Sequence, residues 1–278
     1  MKRIATIQDI SCLGKCSLTV ALPIISAMGM ETCVVPTAVL STHTMISGFT
    51  FRDLTEDMPD ICDHWKKENF IFDAIYTGYL GSKRQLAMVE DYFAAFKTEN
   101  NLIIVDPVIG DGGKLYPAFD VDFAHEMAKL CGKADIIMPN LTEAAFMLDE
   151  EYIESGYDLE YIQSLLKKLT NLGAKTAVLT GVSFEEGKIG VMGYDAANNE
   201  FFHYFHKKID TSYHGTGDIF ASVVVGGLMN GFSLPKALKI AADFTAKCID
   251  ITFSDPNAIT YGVNFEYLLP ELMQQLKK

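Results

Sequence analysis

Up to Thr180, short apolar runs alternate with longer stretches of helical periodicity. Several of these runs are continuously apolar, as parallel strands buried on both faces are. Because parallel neighbours need a crossover connection, usually a helix, the alternation predicts an α/β fold with a mostly parallel central sheet. The predicted strands are Arg3–Gln8, Thr32–Pro36, Ala74–Gly78, Leu102–Asp106, Asp135–Met138 and Thr176–Thr180, and the predicted helices are Ser17–Met28, Arg84–Lys97, Phe123–Leu130, Glu143–Leu148 and Leu159–Leu172.

The pattern changes in the C-terminal third of the chain. Lys188–Tyr194 and Glu200–His206 flank a polar segment and read as an antiparallel hairpin at the edge of the sheet. From Gly217 to about Ile251 the chain is helical, with a break at Gly231, and a last helix fits Phe265–Leu276. There is no internal repeat and no low-complexity linker, so we predict a single domain over residues 1–278.

Composition and charge exclude several classes of protein. The formal net charge is −13, which argues against a nucleic-acid-binding surface. No apolar run reaches the roughly 20 residues needed to cross a bilayer, and an acidic residue interrupts the N-terminus before a signal-peptide core is complete. The six cysteines are scattered and form no zinc-site spacing, as is typical of reduced thiols. We therefore expect a cytoplasmic protein without membrane or nucleic-acid partners.

The segment Gly215-Thr216-Gly217-Asp218 precedes an apolar helical stretch. Glycines allow backbone N–H groups to approach a ligand closely, and the N-terminus of a helix favours negative charge, so this turn suits a phosphate group. Asp218 would repel a phosphate, but it is well placed to accept a proton from a substrate hydroxyl while the backbone holds the transferring group. The alternative is an aspartate that only stabilises the first turn of a helix.

Further polar residues end the predicted strands or follow them, where open α/β sheets bind their ligands. Asp106 and Asp111 lie in a glycine-rich loop and suit Mg²⁺, which binds one or two carboxylates together with phosphates and water. Asn140 and Glu143 fit the neighbourhood of a triphosphate and its metal; the alternative is that Thr142 caps the helix and Glu143 lies in its first turn. The remaining positions of this kind are Asp9, Tyr79 and Thr180.

The segment Ser41–Thr44 offers hydroxyls and the His43 imidazole, which suit a polar heteroaromatic ligand. The Tyr79 ring is able to stack on a flat substrate. Taken singly, a lone histidine and an aromatic ring are more often structural, so these residues gain weight only from their context.

These segments occur together in one known order. The chain resembles the ribokinase-like superfamily and, within it, the pyridoxal kinases, from Ile4 to about Cys248. The resemblance is carried by Ala5–Gln8, Ser41–Thr44, Thr77–Ser82, Asp106–Asp111, Pro139–Glu143 and Gly215–Asp218. It implies a single-domain ribokinase-like three-layer α/β/α sandwich with a mostly parallel central sheet. It also implies ATP-dependent phosphorylation of the 5′-hydroxymethyl group of pyridoxal, pyridoxamine or pyridoxine, by a homodimer.

The resemblance assigns roles residue by residue. Asp218 is implied to be the general base, and the vitamer pocket is implied to hold Asp9, His43, Thr44 and Tyr79. The other implied roles are an anion hole at Gly215, Thr216 and Gly217, ATP contacts at Asn140, Thr180, Asp106 and Glu143, and Mg²⁺ ligands at Asp106, Asp111 and Glu143. A K⁺ ion is a further cofactor that the resemblance allows.

Two residues depart from the family pattern. Asp9 replaces a serine that touches the ring in pyridoxal kinases, so the preference among vitamers is open, and its carboxylate suits either the amine of pyridoxamine or the ring hydroxyl. Met138 replaces a frequent threonine, which leaves only its backbone carbonyl for a monovalent cation.

Three other functions remain in competition. A hydroxymethylpyrimidine kinase of thiamine synthesis belongs to the same superfamily but typically has cysteine where this chain has Asp218. A sugar kinase would usually carry extra strands as a lid. A non-catalytic binding protein would keep the pocket without turnover.

Overall fold

The computed structural model describes residues 1–276. In chain order the strands are β1 (Arg3–Ser11), β2 (Glu31–Leu40), β3 (Phe51–Asp53), β4 (Ala74–Thr77), β5 (Leu102–Val105), β6 (Gly110–Asp111), β7 (Lys114–Leu115), β8 (Ile136–Ile137), β9 (Thr176–Val182), β10 (Lys188–Asp195) and β11 (Glu200–Lys207). The α-helices are α1 (Leu18–Ala27), α2 (Met58–Lys67), α3 (Lys83–Phe96), α4 (Val121–Cys131), α5 (Leu141–Leu148), α6 (Leu159–Asn171), α7 (Thr216–Met229), α8 (Leu234–Phe253) and α9 (Leu269–Gln275), with a 3₁₀ turn at Phe265–Leu268.

The chain divides into two compact units. The first combines Met1–Ala74 with the C-terminal segment that starts at Lys208, and the second is Ile75–Lys207. The sequence-based prediction of one domain over residues 1–278 stays a prediction.

In the first unit, β1 pairs in parallel with β2, and the short β3 pairs antiparallel with the far edge of β2. Strand β1 is almost entirely buried. Helix α7 packs on α1 and α8, and its buried residues run round most of its surface, as expected of a helix inside a core. This packing fixes the N-termini of α1 and α7, which carry the residues discussed below.

In the second unit, the strands lie in the order β11-β10-β9-β8-β5-β4. Strands β5, β8 and β9 are parallel, whereas β10 is antiparallel to both β9 and β11. The mostly parallel sheet with an antiparallel hairpin at its edge is therefore confirmed. Leu165, Leu166 and Leu169 on α6 are buried, which anchors this helix to the unit's core.

The element boundaries differ from the predictions at two site residues, and some small elements were not predicted. Strand β1 continues to Ser11, so Asp9 lies within the strand rather than after it. Strand β9 continues to Val182, so Thr180, predicted as the last residue of its strand, lies two residues before the end. The elements β3, α2 and the β6–β7 hairpin were not predicted at all. Within residues 1–276, no helix has the length and hydropathy required to cross a membrane.

Candidate active site

The predicted site residues fall into both units, and each group is described within its own unit. The first unit holds the turn before α7, Asp9, and the loop after β2 that carries His43 and Thr44. The second unit holds Tyr79, the β5–β6 loop and the N-terminus of α5.

Helix α7 begins in a turn that only glycine can form. Gly215 is its N-cap with φ 78°, and a Cβ at this position would lie 1.7 Å from the carbonyl oxygen of Lys15. Lys15 is in turn held by Glu266, whose carboxylate lies 2.7 Å from Nζ, and by Asn264 at 3.2 Å. The turn is therefore built on the loop before α1, because the two backbones touch at Gly215.

The remaining residues of the turn leave part of it accessible. Thr216 uses its hydroxyl within the turn, where it donates to the carbonyl of Tyr213 at 3.1 Å. Gly217 is exposed, and no atom in the described part of the chain would lie within 4 Å of a Cβ there. The first N–H groups of a helix have no partner inside the helix, so this turn has the geometry of an anion site.

Asp218 lies in the first turn of α7 and accepts a hydrogen bond from the backbone N–H of Ser17. Part of its surface stays accessible, but protein atoms surround the carboxylate densely. The resulting loss of hydration, together with the negative charge of Asp9, raises the pKa of Asp218 to about 7 in spite of the hydrogen bond from Ser17. A carboxylate with such a pKa is well matched to proton transfer near neutral pH.

Ser17 is a functional candidate that the sequence analysis missed. Its φ of 50° and ψ of −132° place a non-glycine residue in a strained region of backbone conformation. In this conformation its N–H reaches the carboxylate of Asp218 while its hydroxyl contacts the carboxylate of Asp9. No local sequence signal marks this role, since it depends on the packing of the loop before α1.

Asp9 sits at an irregularity in the pairing of β1 with β2, where the register shifts between Gln8 and Ile10. Such bulges re-aim a side chain and are common beside active sites. Asp9 is 4% exposed, and the Ser11 hydroxyl donates to its Oδ2 at 3.4 Å. Burial raises the pKa of Asp9, and the hydrogen bonds from Ser17 and Ser11 offset this only in part.

His43 is buried, and its ring centroid lies 4.6 Å from that of His214, directly before the Gly215 turn. Its Nδ1 accepts the backbone N–H of Met45 at 3.1 Å. Burial, and then the charge of His214, lower the pKa of His43, so its ring is neutral near pH 7. The structure therefore brings His43 to the turn that carries Asp218, whereas Thr44 is exposed.

In the second unit, the N-terminus of α5 is closed by a capping box. Asn140 accepts the N–H of Glu143 at 2.9 Å, and Glu143 Oε2 accepts the N–H of Asn140 at 2.8 Å. The interpretation of Thr142 as the cap is wrong, because its hydroxyl accepts the N–H of Gly113 instead. The Asn140 side chain also donates to the carbonyl of Gly110 at 2.9 Å, which ties the β5–β6 loop to α5.

Glu143 is buried, and its second oxygen accepts the N–H of Ile109 at 3.2 Å. Burial, and next the negative charges of Asp106 and Asp111, raise the pKa of Glu143 well above its usual value. Asp106 is buried and Asp111 is exposed. These three carboxylates therefore share one electrostatic neighbourhood, although residues 1–276 contain no group of three side chains that holds a metal ion by itself.

Thr180 and Tyr79, two further predicted ligand contacts, also lie in the second unit. Asn140 and Thr180 form a parallel bridge, and the N–H of Thr180 donates to the carbonyl of Pro139 at 3.0 Å. Tyr79 is half-buried, with its ring 5.5 Å from that of Phe119. The structure thus brings Asn140, Thr180 and Glu143 together at the start of α5.

Comparison with known proteins assigns this arrangement to a family. The family model described as phosphomethylpyrimidine kinase matches residues 22–262. The chain belongs to the phosphomethylpyrimidine kinase family. The match includes His43, the capping box of α5 and the Gly215–Asp218 turn, and it begins after Asp9 and Ser17.

Individual members of this family and related kinases resemble the chain over nearly its whole length. A Bacteroides thetaiotaomicron protein described as a phosphomethylpyrimidine kinase, in an orthorhombic crystal form with pyridoxal, is 42% identical with a TM-score of 0.91, covering 100% of this chain and 96% of that chain. The pyridoxal kinase of Lactobacillus plantarum is 31% identical with a TM-score of 0.90, covering 99% and 98%. The pyridoxal kinase of Dictyostelium discoideum is 27% identical, covering 99% of this chain and 94% of that protein.

These similarities confirm the resemblance to the pyridoxal kinases and the ribokinase-like fold. The chain is a kinase of this fold.

Proposed function

We propose that this kinase transfers the γ-phosphoryl group of ATP to the 5′-hydroxymethyl group of a vitamin B6 compound. The observation that carries the proposal is Asp218, a carboxylate with a pKa of about 7 in the first turn of a helix that begins in an anion-binding geometry. A general base and an anion site on one turn are what phosphoryl transfer to a hydroxyl requires.

The reaction transfers one proton and one phosphoryl group. The substrate O–H bond breaks and its proton passes to the Asp218 carboxylate, while the hydroxyl oxygen bonds to the γ-phosphorus. The bond between that phosphorus and the bridging oxygen breaks, and ADP leaves. The N–H groups of the Gly215–Gly217 turn stabilise the charge on the transferring group, because they are fixed before the reaction begins.

Support for a B6 vitamer as the acceptor comes from the similar proteins and from the first unit. The Bacteroides thetaiotaomicron protein, 42% identical to this chain, was crystallised with pyridoxal. The Lactobacillus plantarum protein, 31% identical, is described as a pyridoxal kinase. His43 is buried and neutral beside the turn, and it suits hydrogen bonding to a polar ring. Thr44 and Tyr79 are proposed as further ring contacts, on the family resemblance.

We assign the nucleotide to residues of the second unit. Asn140 and Thr180 are proposed to contact the phosphates, since they lie together at the N-terminus of α5. Asp106 and Glu143 are proposed to act through the metal that accompanies the nucleotide.

The donor set of the second unit fits Mg²⁺. The negative charges of Asp106 and Asp111 raise the pKa of Glu143, and a cation would relieve this repulsion. Mg²⁺ takes one or two carboxylates and completes its shell with water and phosphate oxygens. Asp106, Asp111 and Glu143 would hold it. When bound, it neutralises charge on the β- and γ-phosphates. K⁺ is proposed as an additional cofactor, with only the carbonyl of Met138 available at that position.

By the same resemblance we propose a cytoplasmic homodimer. The six cysteines, all within residues 1–276, are free thiols, which agrees with a reducing compartment.

The competing function is phosphorylation of hydroxymethylpyrimidine, favoured by the description of the family model. A coupled ATP-consumption assay with Mg²⁺ distinguishes the two functions. It compares the three B6 vitamers, pyridoxal, pyridoxamine and pyridoxine, with hydroxymethylpyrimidine. We expect the highest kcat/KM for a B6 vitamer. A higher value for the pyrimidine would move the protein to thiamine metabolism, and no turnover of any of them would overturn the proposal.

The variant Asp218→Asn tests the base. It keeps the size of the side chain and loses the proton acceptor, so we expect kcat to fall by about 10²- to 10⁴-fold while nucleotide affinity is retained. An Asp218→Asn protein with normal turnover would remove Asp218 from this role.

A further inference from the structure

Lys15, in the loop before α1, is held along its whole side chain by residues near the C-terminus. A Cβ on Gly262 would lie 2.5 Å from the Cβ of Lys15, so the two segments touch at the base of the side chain. At its tip, Nζ donates to Oε2 of Glu266 at 2.7 Å and to Oδ1 of Asn264 at 3.2 Å. Nζ also lies 5.6 Å from the centre of the Phe265 ring. All of these residues belong to the first unit.

The residues that hold Lys15 are themselves fixed to helix α8. The backbone N–H of Asn264 donates to the Thr252 hydroxyl at 2.8 Å, and that hydroxyl donates to the carbonyl of Cys248 at 2.6 Å. Phe265, the next residue in the chain, is 2% exposed. Helix α8 packs on α7, which carries the proposed base. The contacts of Lys15 therefore join the loop before α1 to the core of the first unit.

The backbone near Lys15 contacts the proposed catalytic turn. The Lys15 carbonyl oxygen would lie 1.7 Å from a Cβ on Gly215, so its place limits where the turn before α7 lies. Two residues further on, the N–H of Ser17 donates to the carboxylate of Asp218, and the φ of Ser17 is 50°. A strained backbone persists only where the surrounding structure holds it, so this hydrogen bond depends on how firmly the loop is held.

We propose that Lys15 is a positioning residue for phosphoryl transfer. Its contacts with residues 264–266 hold the loop before α1, and the loop keeps the Gly215 turn and the Ser17 N–H in place beside Asp218. The inference rests on the proposed function. The ion pair of Lys15 has a partner side chain that is 50% exposed, and such pairs contribute little to stability, so its position against the turn is its more informative property.

The variant Lys15→Met removes the ammonium group and keeps most of the stem that packs against Gly262. We expect kcat with pyridoxine to fall by about 10- to 100-fold, because a small misplacement of groups that act on the transition state is costly. Steady-state kinetics with saturating ATP measures this loss. An unchanged kcat would overturn the inference.

The pH dependence of the loss separates positioning from a merely structural role. Burial raises the pKa of Asp218 to about 7, and the hydrogen bond from Ser17 acts against this rise. If the loop shifts and the hydrogen bond weakens, the acid limb of the pH–rate profile moves to higher pH. The loss in kcat/KM should then be larger at pH 6 than at pH 8.5. Asp9 and Cys16 also lie near Asp218, and they are the same in the wild type and in Lys15→Met.

Urea denaturation at both pH values shows whether Lys15→Met is folded under the assay conditions. A folded variant whose loss is equal at pH 6 and pH 8.5 would overturn the inference, since the hydrogen bond to the base would then be unaffected.

A second variant, Glu266→Ala, removes the other half of the ion pair from a half-exposed position, where folding is least at risk. It should reduce kcat and move the acid limb in the same direction. The double variant should lose little more than Lys15→Met alone, because both changes act on one contact. Losses that simply multiply would show that the two residues act independently, and would contradict the proposal.

Lys247→Met is the matched control. Lys247 pairs with Glu271 in the same unit, and this pair lies between α8 and α9. The control should leave kcat and the pH profile unchanged, and an equal loss in both lysine variants would overturn the inference. If the wild-type protein phosphorylates no vitamer, the proposed function fails and this inference falls with it. If the wild type is active and Lys15→Met matches it in kcat and pH profile, only the present inference fails.

Discussion

Asp218 and Asp9 show how one residue, Ser17, positions two carboxylates. Its N–H donates to Asp218, and its hydroxyl contacts Asp9. The raised pKa of Asp218 arises first from burial and is increased by the charge of Asp9. The sequence analysis recognised both aspartates from their place after or near strands and glycines. It missed Ser17, because a strained φ is a result of packing and not of residue type.

The pKa of Asp218, about 7, predicts the pH dependence of the reaction. A base must be deprotonated to accept a proton, so kcat/KM should rise about tenfold per pH unit below pH 7 and level off above it. The measurement is a pH–rate profile with pyridoxine and saturating ATP, in which Asp218→Asn should retain only a small activity without this rise. Because the charge of Asp9 raises the pKa of Asp218, a second pH–rate profile should be recorded with Asp9→Asn.

A wild-type profile that is flat from pH 5.5 to pH 8.5 would contradict this assignment, since no carboxylate with a pKa near 7 would then limit the rate.

Most of the candidate functional residues lie at the N-termini of α5 and α7. The structure at the start of α5 can be predicted from the local sequence, whereas that at the start of α7 cannot. The capping box of α5 is local, because Asn140 and Glu143 are three residues apart and satisfy each other's backbone. This pattern is readable in the sequence, although Thr142 was the only residue we considered as a cap. The turn before α7 depends on a distant element, since Gly215 is required by the carbonyl of Lys15.

Gly215→Ala tests the turn. A methyl group there would occupy space 1.7 Å from the Lys15 carbonyl oxygen, at a φ of 78° that alanine disfavours. We expect the free energy of unfolding to fall by about 1 to 3 kcal/mol or more, measured by urea denaturation.

Gly217→Ala is the matched control for stability. Gly217 lies in the same turn, has no positive φ, and offers open space to a Cβ. The free energy of unfolding of the Gly217→Ala protein should differ from that of the wild type by about 0.5 kcal/mol at most. Equal destabilisation by the two variants would show that the contact with Lys15 does not define the turn.

The whole molecule combines two compact units, of which the first is discontinuous in sequence. Strands β1 and β2 come from the N-terminal segment, whereas α7 and α8 come from the C-terminal segment. The core of this unit, in which α1 packs on α7, cannot form until both segments are present.

We therefore predict a single cooperative unfolding transition, in line with one domain over residues 1–278. Differential scanning calorimetry should give a van't Hoff enthalpy equal to the calorimetric enthalpy. Two resolved transitions would show that the units unfold independently.

The acid stability of the molecule should depend on Asp135 in the second unit. Its carboxylate accepts the N–H of Ile103 and pairs with Lys97 at 2.5 Å and Lys175 at 2.7 Å. Burial acts to raise the pKa of Asp135, but the hydrogen bonds from Lys175 and Lys97 outweigh it, and the pKa is lowered. A lowered pKa stabilises the fold above the pKa of the unfolded chain, and this contribution is lost as the pH falls through the folded value.

Asp135→Asn should therefore destabilise the protein by about 1 to 2 kcal/mol at pH 7, and the difference should shrink toward pH 3. Urea denaturation at both pH values measures it. Asp63→Asn removes a partner of Lys66 whose side chain is 73% exposed, and it should change stability by less than about 0.5 kcal/mol. A difference for Asp135→Asn that is equal at both pH values would exclude the ion pairs as its cause.

Most of the alternating elements were readable from the sequence, whereas three small ones were not. Helix α2 is polar at most of its positions and buries only Met58 and Cys62, so no apolar run marks it in the sequence. Strand β3 is fully exposed and only three residues long, and the β6–β7 hairpin has two residues in each strand. Strand β3 and the β6–β7 hairpin are too short to show a periodic pattern of apolar residues, and they form because neighbouring segments pair with them.

Local and repetitive features of this chain were therefore available without a structure. The mostly parallel sheet follows from apolar periodicity, and Asp218, Asn140 and Glu143 lie in short motifs that the sequence shows directly. Of these, only Asn140 and Glu143 act on each other; the partners of Asp218 are the distant Ser17 and Asp9. The strain at Ser17, the burial of Asp9 and the need for Gly215 arise only after folding. Each of these depends on atoms far apart in sequence, and burial and electrostatic interaction depend on distance in space.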